Sequence, residues 1–280
     1  MSFTDRQLAL KSLAYRRRVL EIIMQAGAGH TGGSLSCVDI LNVLYNRILN
    51  VSPQTVRSPD RDRYIQSKGH SVEALFVVLA DRDFVRDSEL ETLCQYRSHF
   101  VGHPTRKVPG IEHNTGALGH GLSFGTGVAI AGKKDKRDYR VFVLLGDGEL
   151  AEGSNWEAAM AAAHYDLDNL IAIIDHNTLQ ITGRTRDVCC NEPLDEKFRA
   201  FGWDVRQVDG HSIPQMTDVL SHQPGSGKPL AVIANTTKGK GVSFMEDVAK
   251  WHHGVPTEAQ YAKALAEIDA AIAVVQGDGE

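Results

Sequence analysis

At 280 residues, 42% of them hydrophobic and 23% charged, the chain has enough apolar mass to bury a sizeable core. Its formal net charge is −5 and its basic residues are scattered apart from short runs such as Arg16-Arg17-Arg18 and Lys133-Lys134, so it carries no footprint for nucleic acid. No apolar run approaches the roughly 18 residues that a membrane span needs, and four cysteines without a CxxC pair, behind an N-terminus lacking a signal-peptide core, predict a reducing, cytoplasmic compartment.

Thr4 is placed to cap a helix whose apolar positions Leu8, Leu13, Val19, Ile22 and Ile23 run to a stop at Gly27. A second helix is predicted from Ser36 through Leu49, ahead of Pro53. Beyond this helical start, short β-rich runs at 63–66, 139–145, 170–175, 203–208 and 230–235 alternate with stretches of helical composition at 72–79, 118–131, 151–164 and 214–220. Such alternation predicts an α/β fold, a parallel sheet sandwiched by helices, with residues 1–280 forming one domain behind a helical N-terminal segment. Ligands of sheets of this kind sit at the carboxyl ends of the strands, so the following loops are where chemistry is expected.

The stretch VFVLLGDGELAEG, from Val141, places Asp147 at the end of a strand expected to be buried on both faces. A lone carboxylate there is costly unless it meets a cation or strong donors. A hard divalent ion, Mg²⁺ or Ca²⁺, fits, because the next strand ends at Asp175-His176-Asn177 and brings an amide oxygen to the same edge. So few protein ligands leave positions for water and for the oxygens of a phosphate-bearing ligand. The other reading of Asp147 is a helix or turn cap. Six of the twelve histidines, His30, His70, His103, His120, His211 and His253, adjoin a glycine, which lets backbone approach a ligand closely. None shows the His-x₃-His or His-Glu-x-x-His spacing of a zinc site.

These residues carry a resemblance. GDGELAEGSNWEAAMAAAHYDLDNLIAIIDHNTLQ resembles the thiamine diphosphate motif, and GHTGGSLS, SKGH, GHPT, TGALGHG, TKGKG and WHHGVP follow the order and approximate spacing of the transketolase family. Nearly the whole chain is covered. The resemblance implies a thiamine-diphosphate-binding fold in which Asp147, Asn177 and the backbone carbonyl of Leu179 ligate Mg²⁺ or Ca²⁺. It further implies that Gly148 and Glu149 line the cofactor, that His70, Lys238 and His253 meet its diphosphate with Asn177, and that Gly116 and Leu118 contact its rings. His30, His103 and His253 match positions that contact the substrate, where a group able to act as acid or base is needed. In the run Trp251-His252-His253, counting from the tryptophan favours His252, whereas counting back from Gly254 favours His253, which is preferred here. His120 stands where the family usually has glutamine, and Glu152 matches a glutamate at the family's dimer interface.

The activity implied is transfer of a two-carbon ketol unit from a ketose or ketose phosphate to an aldose or aldose phosphate. The sequence ends at Glu280, where a full-length transketolase would begin its pyrimidine domain, which supplies the activating glutamate and most phosphate-holding arginines. The resemblance therefore implies that the partner is a C-terminal transketolase subunit, in an α₂β₂ assembly. The alternative is a scaffold that keeps the cofactor and metal site without catalysis; the histidine series argues against it.

Overall fold

The computed structural model describes residues 3–221 and 227–277. Helix α1, Asp5–Ala26, begins in a capping box: the Thr4 hydroxyl accepts from the Gln7 amide at 3.2 Å, and the Gln7 side chain accepts from the Thr4 amide at 2.8 Å. It ends at Gly27, whose left-handed φ of 64° costs glycine little. The next helix starts five residues earlier than predicted, as α2, Thr31–Ser36, followed by α3, Val38–Val43, and a π-helical turn, Leu44–Ile48. Two glycines and two serines make TGGSLS a poor helix former by propensity. Tertiary structure overrides that preference: the buried Glu73 carboxylate accepts from the His30 amide at 3.0 Å and from the Ser34 hydroxyl at 2.7 Å.

Five parallel strands follow, β1 Arg63–Gln66, β2 Val141–Gly146, β3 Leu170–His176, β4 Asp204–Asp209 and β5 Leu230–Asn235, in the spatial order β1-β2-β3-β5-β4. Between and after them lie α4 Val72–Asp81, α5 Gly121–Lys134, α6 Gly153–His164, α7 Thr185–Val188, α8 Leu194–Ala200, α9 Ile213–Ser221 and α10 Glu258–Gly277. Helices α7, α8 and α10 are not among the elements expected above, although α10 opens on a capping pair, Thr257 and Gln260, that the sequence does contain. Successive side chains point to opposite faces of a strand, and helices on both faces make both faces apolar. Phe142, Leu144, Ile171, Ile173 and Val232 join a core with α1, α3, α4, α9 and α10, whereas Val143, Leu145, Ala172, Ile174 and Ile233 join one with α5, α6 and α8. The register sets Gly146 beside Asp175, so the residues just beyond β2 and β3 emerge side by side.

Candidate cofactor site

A cavity of about 270 Å³ opens at this carboxyl edge, walled by the loops after β1, β2, β3 and β5 together with His30, His103, Gly116 and Leu118. Larger open depressions at the amino edge, around Asp60, Asp62, Arg137 and Arg140, hold charges already paired with one another, Arg137 with Asp60 at 2.7 Å and Arg140 with Asp62 at 3.4 Å.

Asp147, 4% exposed, accepts from the Gly148 amide at 2.8 Å and the Thr178 amide at 2.6 Å. Burial, and then the charge of Asp175, push its carboxyl up to about 6. Beside it Asn177 Oδ1 accepts from the Leu179 amide at 3.2 Å, and the Leu179 carbonyl accepts from Lys238 Nζ at 3.1 Å. A buried carboxylate, an amide oxygen and a peptide carbonyl at two neighbouring strand ends form an oxygen donor set suited to a hard cation. Among the described residues, no three histidine, cysteine or acidic side chains are grouped to hold a metal. The predicted helix from Ala151 is displaced: a 3₁₀ turn, Gly148–Ala151, comes first, and α6 begins at Gly153 with Glu152 exposed at its cap.

Lys68 is the largest departure from what the sequence suggests, since the SKGH stretch draws notice for its histidine. The Lys68 ammonium is 1% exposed in the cavity floor, paired with Asp175 and donating to the Gly33 carbonyl at 3.1 Å. Asp175 also accepts from Ser36, Thr236 and Asn177. Burial opposes both charges, yet each holds the other ionised: Lys68 lies above its usual pKa and Asp175 below. The pair thus places a fixed cation under the cavity and ties the ends of β1, β3 and β5 together.

Five imidazoles gather at the rim. The His30 ring lies 5.4 Å from His70, 5.8 Å from His103, 5.6 Å from His252 and 4.7 Å from His253. Burial first, then the surrounding imidazoles and Lys238, drive His30 down to about 4; burial first, with Lys238 next, drives His252 to about 3; burial first, with Lys68 next, holds His70 well below its usual range, and burial lowers His103. The imidazoles of His30, His70, His103 and His252 are therefore neutral at pH 7. His252 stacks on His70 at 4.9 Å and accepts from Lys238 Nζ at 3.0 Å on the cavity wall. His253, in extended conformation, is exposed on the other side and packs against His30 outside that wall. His120 is exposed at the cap of α5, and His211 lies beyond the cavity.

Glu149 stands in the wall, but its oxygens are committed to protein: they accept from Ser67, from the Gly119 amide at 2.9 Å and from the Gly146 amide at 3.0 Å. It clamps the loop that carries Gly116 and Leu118 to the end of β2. Gly116 adopts φ 141°, and a Cβ there would lie 2.6 Å from the His103 ring, so only glycine admits that histidine. Glu149→Ala is expected to cost about 2–4 kcal/mol, since it strands buried donors formerly bound to a charge. Urea unfolding measures the loss.

The site suits a diphosphate-bearing cofactor with a metal. Among the described residues, Asp147 is a buried carboxylate lacking a cation partner, Lys68 and Lys238 supply positive charge, and the cavity residues His30 and Gln180 hold buried nitrogens, Nδ1 and Nε2, without hydrogen-bond partners. The family described as "Transketolase, thiamine diphosphate binding domain" matches residues 9–269. The chain belongs to the transketolase family. It is 51% identical over 265 residues to an apulose-4-phosphate transketolase subunit of Phocaeicola vulgatus, covering 93% of each chain. With the 6-deoxy-6-sulfo-D-fructose transketolase subunit of a Clostridium species it shares 38% identity over 270 residues, 95% of this chain and 98% of that one. Transketolase from Leishmania mexicana superposes with a TM-score of 0.84 at 26% identity, over 99% of this chain and 46% of that one. The chain thus carries the N-terminal, thiamine diphosphate binding part of a transketolase, an enzyme of the transferase class.

Lys238 gives this site a pH dependence. Burial, and then the charge of Lys68, bring its ammonium down to about 8. The charge is present below that pH and lost above it, so affinity for thiamine diphosphate is expected to fall about tenfold from pH 7 to pH 9. Calorimetry should show proton uptake on binding near pH 8.5, because a diphosphate restores the charged form. Lys238→Met should bind weakly at every pH and lose this alkaline limb.

Proposed function

We propose that the chain is the cofactor-binding subunit of a two-chain transketolase that transfers a two-carbon ketol unit from a ketose phosphate to an aldose phosphate. The observation that carries this reading is the meeting of Asp147, Asn177 and the Leu179 carbonyl with Lys68 and Lys238 at one cavity. Asp147, Asn177 and Leu179 hold Mg²⁺ or Ca²⁺. Lys238, His70 and His252 meet the diphosphate together with the metal, and Gly116 and Leu118 flank the rings. Bound thiamine diphosphate supplies the carbon nucleophile and the electron sink. His30 and His103, neutral at pH 7, are the groups able to take a proton from a sugar hydroxyl and return it. His253 stands outside them, at the entrance.

The chain forms one domain, and a second polypeptide supplies the pyrimidine domain in an α₂β₂ assembly. Relatives called subunits support this arrangement, since they match over nearly their full lengths. Their names point to ketoses ending in phosphate or sulfonate, so the preferred substrate is a ketose with an anionic tail. Four free cysteines support a reducing, cytoplasmic setting, and among the described residues no helix is long and apolar enough to cross a membrane.

The test combines the chain with the polypeptide encoded beside it and follows ketol transfer from apulose 4-phosphate and from xylulose 5-phosphate. Turnover in the mixture and none in either chain alone is the expected result. Normal turnover by the chain alone, or cofactor binding by the mixture with no ketol transfer from any ketose phosphate, would overturn the proposal.

A further inference from the structure

We infer that His211 is a positioning residue for cofactor binding: with Arg16 and Asp39 it forms a buried strut that fixes the loop carrying Lys238. The inference rests on the cofactor site proposed above. Arg16 of α1 and Asp39 of α3 are each 4% exposed. The Arg16 guanidinium donates to both oxygens of Asp39, at 3.2 and 2.5 Å, and its Nε donates to the Lys240 carbonyl at 3.0 Å. Asp39 also faces His211 Nδ1 at 2.7 Å, and the opposite ring nitrogen, Nε2, accepts from the Thr237 amide at 2.8 Å.

Both ring nitrogens are thereby committed. An amide N–H aimed at Nε2 requires that nitrogen to be bare, so the proton resides on Nδ1 and points at Asp39. Burial alone would raise the Asp39 carboxyl, but Arg16 and His211 hold it well below the usual range, so the acceptor for that proton stays charged.

The two backbone groups held by the strut, the Thr237 amide and the Lys240 carbonyl, bracket Lys238. Lys238 then reaches the Leu179 carbonyl and His252 in the cavity. His211 stands just past the end of β4, where its own amide donates to Asp209 at 2.9 Å. The strut is how β4, whose end adds nothing to the cavity wall, contributes to the site. Position 241 is shaped by the same contact: a Cβ there would lie 2.8 Å from Arg16 Cδ.

Further ties hold this loop, among them the Gly239 amide on the Gly32 carbonyl at 3.0 Å, the Asp247 amide on the Lys238 carbonyl at 2.8 Å, the Gly241 amide on Glu246 at 2.9 Å and the Thr236 hydroxyl on Asp175. Loss of the histidine should therefore loosen Lys238 without unfolding the chain. The test titrates thiamine diphosphate with Mg²⁺ into wild type, His211→Gln, His211→Asn and His211→Ala, each combined with the second polypeptide proposed above, with thermal unfolding of each apo protein in parallel. Glutamine reaches the place of Nε2 and keeps an acceptor for Thr237; asparagine reaches only the place of Nδ1 and keeps the contact to Asp39. Affinity within about twofold of wild type is expected for glutamine and a loss of about tenfold for asparagine and alanine, the scale of one buried amide hydrogen bond.

Wild-type affinity in the asparagine and alanine variants would overturn the strut's role. So would losses that follow the melting temperature through all three variants, glutamine included, since that pattern marks simple destabilisation. Binding absent from wild type itself would overturn the cofactor site and this inference with it.

Discussion

Asp147→Ala is expected to abolish metal-dependent binding of thiamine diphosphate while leaving the apo fold intact. Even residues that only support metal ligands cost roughly 10–100-fold in metal affinity when removed, so the loss here should be at least on the order of 100-fold. The fold gains little from this carboxylate. Burial, with Asp175 next, raises it to about 6, so above that pH the ionised group opposes folding, and its unfavourable share is relieved as pH falls through 6. Two amides, of Gly148 and Thr178, lose an acceptor at the cavity edge, which water can replace. The expected pair of results is a melting temperature within a few degrees of wild type and no calorimetric binding signal. In wild type, protons compete with the metal below about pH 6, and affinity should fall about tenfold per pH unit there. A variant that binds cofactor normally would reduce Asp147 to a turn cap.

The second large effect concerns stability. Asp175→Leu and Lys68→Met each leave an unmatched buried charge, and such losses run to about 3–5 kcal/mol. Asp175→Leu should be the worse, because Lys68, Ser36, Thr236 and Asn177 all donate to that carboxylate, whereas Lys68→Met leaves three of those donors in place. The double variant should recover part of the loss, since an apolar pair carries no desolvation cost. Urea unfolding of the three variants gives the coupling directly. Additive losses would contradict a direct pairing.

The residues that announce their chemistry in sequence are those whose type and spacing are unusual. Asp147 follows five apolar residues and a glycine, and Asn177 stands three residues past the next apolar run; a parallel sheet of adjacent strands brings the two together. The sheet was legible for the same reason, because strands buried on both faces read as continuous apolar runs. Lys68 was not legible. A lysine beside a glycine and a histidine reads as solvated, and only its burial against Asp175, 107 residues away, makes it part of a cavity floor.

Helix α2 was misplaced because Glu73, which caps its first turn, lies 43 residues from His30 in sequence. The glycine-flanked histidines looked alike in sequence and are not alike in space. His30, His70 and His103 meet at the rim, His120 stays at an exposed helix cap, and His211 braces a loop. The uncertainty in Trp251-His252-His253 has a geometric basis. His252 ends the 3₁₀ turn Ala249–His252 and its imidazole meets Lys238, whereas His253 follows in extended backbone, exposed, with its ring 4.7 Å from His30.

The most direct test of the central claim is calorimetric titration of thiamine diphosphate into the chain combined with the proposed second polypeptide, in Mg²⁺ and again with a chelator. One cofactor bound per chain in Mg²⁺, and none once the metal is removed, is the predicted result. Binding that ignores the chelator, or no binding in Mg²⁺, would contradict the assignment of Asp147, Asn177 and the Leu179 carbonyl as the metal-bearing centre of the site.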